Sequence, residues 1–184
     1  MSGWVRMARL RLNQTRGLAL AVFLVASGPA WAGGWVEELK VGVLYHDVID
    51  RVEDELIDIN VEAVLTPSMP ALWGVVRPAL GTSINTGGDT SHVYLDARWQ
   101  RECASGLFFG IGLGAAVHDG KLEPTEPDRK ALGWRVLFHI PAEIGLRLDA
   151  HNSVSLYYEH TSNAYLAEFN EGMDRLGVRY GYRF

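Results

Sequence analysis

The chain has 184 residues, with 17 basic and 22 acidic side chains, 20 glycines and a single cysteine. The acidic balance argues against nucleic acid as a partner, and one cysteine leaves an exported chain without an intramolecular disulfide. Past the N-terminal segment no apolar run is long enough for a membrane helix, yet so glycine-rich a chain is unlike an ordinary soluble enzyme.

Residues 1–32 carry Arg6, Arg9, Arg11 and Arg16 without an acid, then an apolar run from Leu18 to Ala26, then Ala30-Trp31-Ala32. This is the pattern of a secretory signal peptide cleaved after Ala32. The mature part, 33–184, reads as one domain with 13 basic against 22 acidic residues, a net charge of −9 with histidines neutral.

Apolar residues then recur with period two, the signature of half-buried strands. The first set is Leu39, Val41, Val43 and Tyr45; the second is Ile57, Ile59, Val61, Ala63 and Leu65, with Asp58, Asn60 and Glu62 opposite. A less regular third stretch covers 71–84. Val93, Leu95, Ala97 and Trp99 form the fourth, and Leu107 to Val117 the fifth, with Gly110, Gly112 and Gly114 on its other face. The sixth runs from Val136 to Leu148, opposed by His139, Glu143, Gly145 and Arg147. Val154, Leu156 and Tyr158 mark the seventh. The last runs from Asp174 to Phe184, with Leu176, Val178, Tyr180, Tyr182 and Phe184 on one face and arginines alternating with glycines on the other.

Parity alone does not say which face points inward: a soluble barrel would turn the apolar face in. The charges decide it, because Asp58, Glu62, Asp96, Arg98, Glu143, Arg147, Glu159, Arg179 and Arg183 neutralise one another in a narrow lumen while the other face is almost free of charge. The expected fold is all-β, an eight-stranded antiparallel transmembrane β-barrel with a filled interior. Short turns are expected at 66–70, 101–106 and 149–152, and longer outer loops at 47–56, 85–90, 118–132 and 163–173.

Asp47, Asp50, Glu53, Asp54 and Glu55 in the first outer loop read as solvated, with divalent-cation sharing as the alternative. Lys121, Arg129, Lys130 and Arg175 are candidate contacts to lipid phosphates, or simply solubilising. The histidines show no metal-ligand spacing, so neither metal nor cofactor is implied, and His139 is expected to join the lumen network. Trp99, Trp134, Tyr165, Phe169, Tyr182 and Phe184 are candidates for interfacial aromatic girdles.

His160 and Ser162 end the seventh strand and Asp174 begins the eighth, all with the parity of the lipid-facing residues. A serine hydroxyl becomes a nucleophile when a histidine takes its proton and a carboxylate orients that histidine. Two residues apart on one strand, His160 and Ser162 project from one face about 7 Å apart. A His-x-Ser pair is weak evidence on its own, and no Gly-x-Ser-x-Gly elbow is present. On the residues alone, an interfacial esterase and a merely solvated headgroup boundary stand level.

The segments Ser155-Leu-Tyr-Tyr-Glu-His-Thr-Ser-Asn-Ala164 and Asn170-Glu-Gly-Met-Asp-Arg-Leu-Gly-Val-Arg-Tyr180 closely resemble the C-terminal signature of the PagL-type lipid A 3-O-deacylases. The resemblance is dense over 138–184 and architectural before that. It implies an outer-membrane serine esterase that hydrolyses the ester-linked 3-hydroxyacyl chain at position 3 of lipid A, with its site facing the outer leaflet. Ser162 would be the nucleophile, His160 the general base, Asp174 the orienting acid and Asn163 the oxyanion contributor. The family's acid position usually holds Glu; here it is the shorter Asp174, with Glu171 and Glu168 nearby as substitutes. The implied partners are lipopolysaccharide and outer-membrane lipids, and a homodimer hiding the site is compatible with them. The rival readings are a phospholipase-type esterase and a non-catalytic structural or adhesive barrel.

Overall fold

The computed structural model describes residues 34–53 and 57–184, so the leader read at 1–32, and Asp54 and Glu55, lie outside the described residues. Nine strands follow in chain order: β1 (Val36–Tyr45), β2 (Ile57–Leu65), β3 (Met69–Ala71), β4 (Gly74–Asn85), β5 (His92–Glu102), β6 (Leu107–His118), β7 (Val136–Arg147), β8 (Asn152–Ser162) and β9 (Met173–Arg183). Eight of them form a closed antiparallel barrel. Each long strand pairs with its neighbours in sequence, β2 pairs with β4 through registers such as Val61↔Thr82, and β1 closes onto β9 through registers such as Val43↔Val178.

β3 is the departure from the expected count. The stretch read as one irregular strand is a hairpin, in which β3 pairs with the start of β4 (Met69↔Val76) and the chain reverses at Leu72 and Trp73. Both turn residues are left-handed, with φ of 48° and 60°. Such turns usually carry Asn-Gly, which tolerates φ > 0 without a steric cost. Leu-Trp gives no such signal, so the expected turn at 66–70 is only the approach to the reversal.

The barrel is inside out relative to a soluble one. Val41, Ile59, Leu80, Leu95, Ile111, Leu113, Ile140, Ile144, Leu156 and Val178 are all exposed on the outer wall. Among the described residues no helix is long and apolar enough to cross a membrane.

The lumen is packed with compensated charge. Glu143 on β7 lies 2.7 Å from Lys40, 3.3 Å from Arg98 and 2.9 Å from Arg179, and accepts a 2.6 Å hydrogen bond from Ser155. Glu62 lies 3.3 Å from Arg179, and Glu38 2.9 Å from Arg147. His139 bridges Asp96 and Glu159 at 2.9 and 3.2 Å, as its inward parity required. Tyr94, Phe108 and Tyr157 are fully buried among these groups, and the Arg179 guanidinium lies 3.5 Å from the centre of the Tyr157 ring. The inward glycines of β6 make room: a Cβ on Gly112 would fall 2.7 Å from Arg98 Cδ. Arg183, expected in the lumen, instead lies at the rim, 30% exposed and 3.1 Å from Glu102.

The candidate functional site

β8 and β9 build the site. Successive side chains alternate across a strand, so Tyr158, His160 and Ser162 share the outer face of β8, while Glu159 and Thr161 are buried on the other. Register pairs His160 with Asp174 directly across to β9. His160 Nδ1 lies 2.8 Å from Asp174 Oδ1, and His160 Nε2 lies 3.0 Å from Ser162 Oγ. One imidazole thus links a carboxylate to a hydroxyl through its two nitrogens. The histidine side chain is 32% exposed and that of Asp174 8%, and Ser162 is buried, so the chain of groups opens to the outside at the imidazole.

The shorter acid reaches because it stands directly opposite its histidine. Glu171 is occupied elsewhere, its Oε2 accepting a 2.7 Å hydrogen bond from the Ala131 backbone, and Glu168 is exposed in the loop. Asn163 does not present a free donor: its Nδ2 donates to the carbonyls of Leu132 (2.9 Å) and Phe169 (2.6 Å), and its backbone N–H to Asn170 Oδ1 (2.8 Å). In this conformation Asn163 ties the 163–172 loop to the 119–135 loop. Gly172, with φ of 66°, lies against the site: a Cβ there would fall 3.3 Å from His160 Cε1 and 3.8 Å from Ser162 Cβ.

The loops around this end are held by buried charge, contrary to the solvated reading. Glu53 is fully buried and accepts hydrogen bonds from His46 Nε2 (3.1 Å), Thr90 N (2.9 Å), Thr90 Oγ1 (2.9 Å) and Lys130 N (3.0 Å). Burial alone would raise its carboxyl; the donors, His46 first and then Thr90 and Lys130, outweigh that and hold it at about 2. Burial likewise pushes the His46 imidazole down, but the Asp58 and Glu53 carboxylates beside it leave it above the usual histidine range. Lys130 is equally buried, 2.6 Å from Asp47 and 2.8 Å from Asp50. Arg175 is enclosed in the barrel, bonded to Asp58, to His92 (3.0 Å) and to the Thr90 carbonyl (2.7 Å). Neither cation is placed to meet a lipid phosphate. Lys121 stays exposed beside Glu126, and Arg129 is paired with Asp89 at 3.1 Å.

Among the described residues, two sets of side chains missed by spacing do cluster: His92, His139 and Glu159 in the lumen, and His46, Glu53 and Asp89 beneath the loops. Each is already crossed by a cation, Arg175 in the first and Arg129 in the second, so ion pairing accounts for both. Farther down the outer wall from His160 and Asp174 lies a shallow, open apolar patch that includes Val41, Ile144, Val154, Leu156, Val178 and Tyr180.

An inverted, charge-filled barrel of eight strands with polar groups on its outer wall defines a small outer-membrane β-barrel. The solved structure of the outer membrane enzyme PagL has the same fold, with a TM-score of 0.60 at 17% identity, covering 80% of this chain and 99% of that one. A de novo designed transmembrane β-barrel (TM-score 0.48, 9% identity, 81% and 97% covered) and the Yersinia pestis outer membrane protein Ail (0.49, 13%, 82% and 100%) are more distant likenesses. No curated protein sequence matches the chain. The family model for lipid A 3-O-deacylase (PagL) matches residues 9–183, and the chain belongs to that family.

Proposed function

We propose that this protein is an outer-membrane serine esterase that removes the ester-linked 3-hydroxyacyl chain from position 3 of lipid A. The observation that carries the reading is the Ser162–His160–Asp174 arrangement, at 3.0 and 2.8 Å, on the outer wall of a barrel belonging to the lipid A 3-O-deacylase family. His160 Nε2 takes the Ser162 proton as Oγ attacks the ester carbonyl, and Asp174 stabilises the imidazolium and fixes its tautomer. Collapse of the tetrahedral intermediate expels the sugar hydroxyl, protonated by His160, and leaves an acyl-enzyme on Ser162. Water, deprotonated by His160, then releases the 3-hydroxy fatty acid and restores the serine.

The placement suits a substrate that never leaves the bilayer. The acyl chain lies along the apolar outer wall, where the Leu156↔Val178 pair lies four residues below His160, about 13 Å along the strand. The site end carries the long loops, which we assign to the outer leaflet, and the mature protein begins at Gly33 after removal of the leader. Asn163 contributes to the oxyanion site only if substrate binding frees one of its donors.

Mass spectrometry of lipid A from Gram-negative cells expressing the wild type or Ser162→Ala tests this directly. Loss of one 3-hydroxyacyl mass with the wild type alone is expected. Unchanged lipid A with folded barrel in the membrane overturns the substrate, and accumulating lysophospholipid redirects it to glycerophospholipid.

A further inference from the structure

Tyr158 has the parity of a lipid-facing anchor, but its hydroxyl is taken by a side chain of the neighbouring strand. On β8 it precedes His160 by two residues, and its register partner on β9 is Leu176, so Asp174 is its diagonal neighbour. Diagonal pairs on one face lie about 7–8 Å apart, within reach of an aromatic side chain. The Tyr158 hydroxyl donates to Asp174 Oδ1, the same oxygen that lies 2.8 Å from His160 Nδ1.

We propose that Tyr158 is a positioning residue that holds the Asp174 carboxylate in line with His160. The inference rests on the triad reading above. A phenol on a lipid-facing wall needs a partner for its O–H, because an unmade hydrogen bond is costly away from water. Asp174 meets that need. In return the carboxylate gains a second donor from the strand that already carries His160 and Ser162. With one donor only, a carboxylate at the edge of the bilayer is free to rotate toward headgroup water and leave the imidazole unoriented. With two donors from β8 converging on one oxygen, rotation breaks both bonds. An acid one methylene shorter than the family's usual Glu is thereby fixed by two side chains of the neighbouring strand. Tyr158 itself touches no reacting atom, so its effect passes through Asp174.

The test is a double-mutant cycle on refolded barrel in detergent with lipid A as substrate, folding being checked by heat-modifiable gel migration. Tyr158→Phe keeps the ring and removes the hydroxyl. Hydrogen bonds to charged groups are worth about ten- to a hundredfold in an equilibrium, so kcat should fall by about tenfold or more with KM unchanged. In an Asp174→Asn background the same change should cost less than about twofold, since the group it acts through is no longer charged. Wild-type kcat in folded Tyr158→Phe overturns the proposal, as does an equal loss in both backgrounds. Ser162→Ala separates the two levels: if it retains turnover, the triad reading falls and this inference with it. If Ser162→Ala is inactive while Tyr158→Phe is unimpaired, only the role of Tyr158 falls.

Discussion

Glu53→Gln should release the loops without opening the barrel. Four donors converge on the Glu53 carboxylate, two on each oxygen, and Arg129 lies 3.4 Å away. An amide offers one acceptor oxygen and points an NH₂ at the other pair of donors, so at least two bonds are lost and a donor meets a donor. The same carboxyl gives the magnitude: its value falls from 4.5 to about 2, a difference of about 2.5, and each unit corresponds to about 1.36 kcal/mol, so the charged form contributes about 3 kcal/mol. Every partner lies in a loop or at a strand end, which confines the loss to loop docking. Lys130 leads directly into Ala131 and Leu132, which bond Glu171 and Asn163, so the 119–135 loop should detach from the site hairpin as well. Hydrogen exchange followed by mass spectrometry at pH 7 should show peptides from 121–135 opening about a hundredfold more readily in Glu53→Gln, with strand peptides unchanged. Wild-type exchange in those peptides would refute the reasoning.

Acid should reproduce the effect in the wild type. The folded value of Glu53 is depressed, so its stabilisation is complete above about pH 4.5 and is lost as pH falls toward about 2, a window in which pepsin should begin to cut the loops. Glu143→Gln leaves Lys40, Arg98 and Arg179 facing a neutral group and should cost about 3–5 kcal/mol, read as a lower urea midpoint for the vesicle-inserted barrel. Gly172→Ala should lower turnover in a folded barrel, because a left-handed alanine costs about 1–2 kcal/mol and its methyl group presses on His160. Replacing Leu72-Trp73 with Asn-Gly should stabilise the barrel by about 1 kcal/mol or more, read as a higher urea midpoint, since both positions have φ > 0.

The lipid-facing and lumen-facing alternation was legible because period two is a local property: Leu176, Val178 and Tyr180 announce their face within a few residues. The His160–Asp174 pairing was legible for the same reason, since a short count around the last hairpin brings them level. The Leu72–Trp73 reversal was not, because its residues contradict the local preference for its conformation. Burial of Glu53 and Lys130 was also hidden. Each looks like a solvated charge in its own segment, and only the meeting of several loops supplies the partners that make its burial affordable. Asn163 belongs to this group, since its donors are taken by carbonyls from Leu132 and Phe169. Tyr158 was legible as a lipid-facing residue, while its polar task depended on a diagonal contact across the hairpin.

The outward placement of His160 and Ser162 has a kinetic consequence. With the lumen filled by ion pairs, a lipid substrate of the proposed reaction would reach these groups sideways, by drifting in the plane of the membrane rather than through a mouth. Encounter is then two-dimensional, and the quantity that sets the rate is the mole fraction of substrate in one leaflet, not its amount per volume. Diluting the lipid with inert amphiphile at constant total substrate should slow turnover, whereas diluting intact membranes with buffer should not.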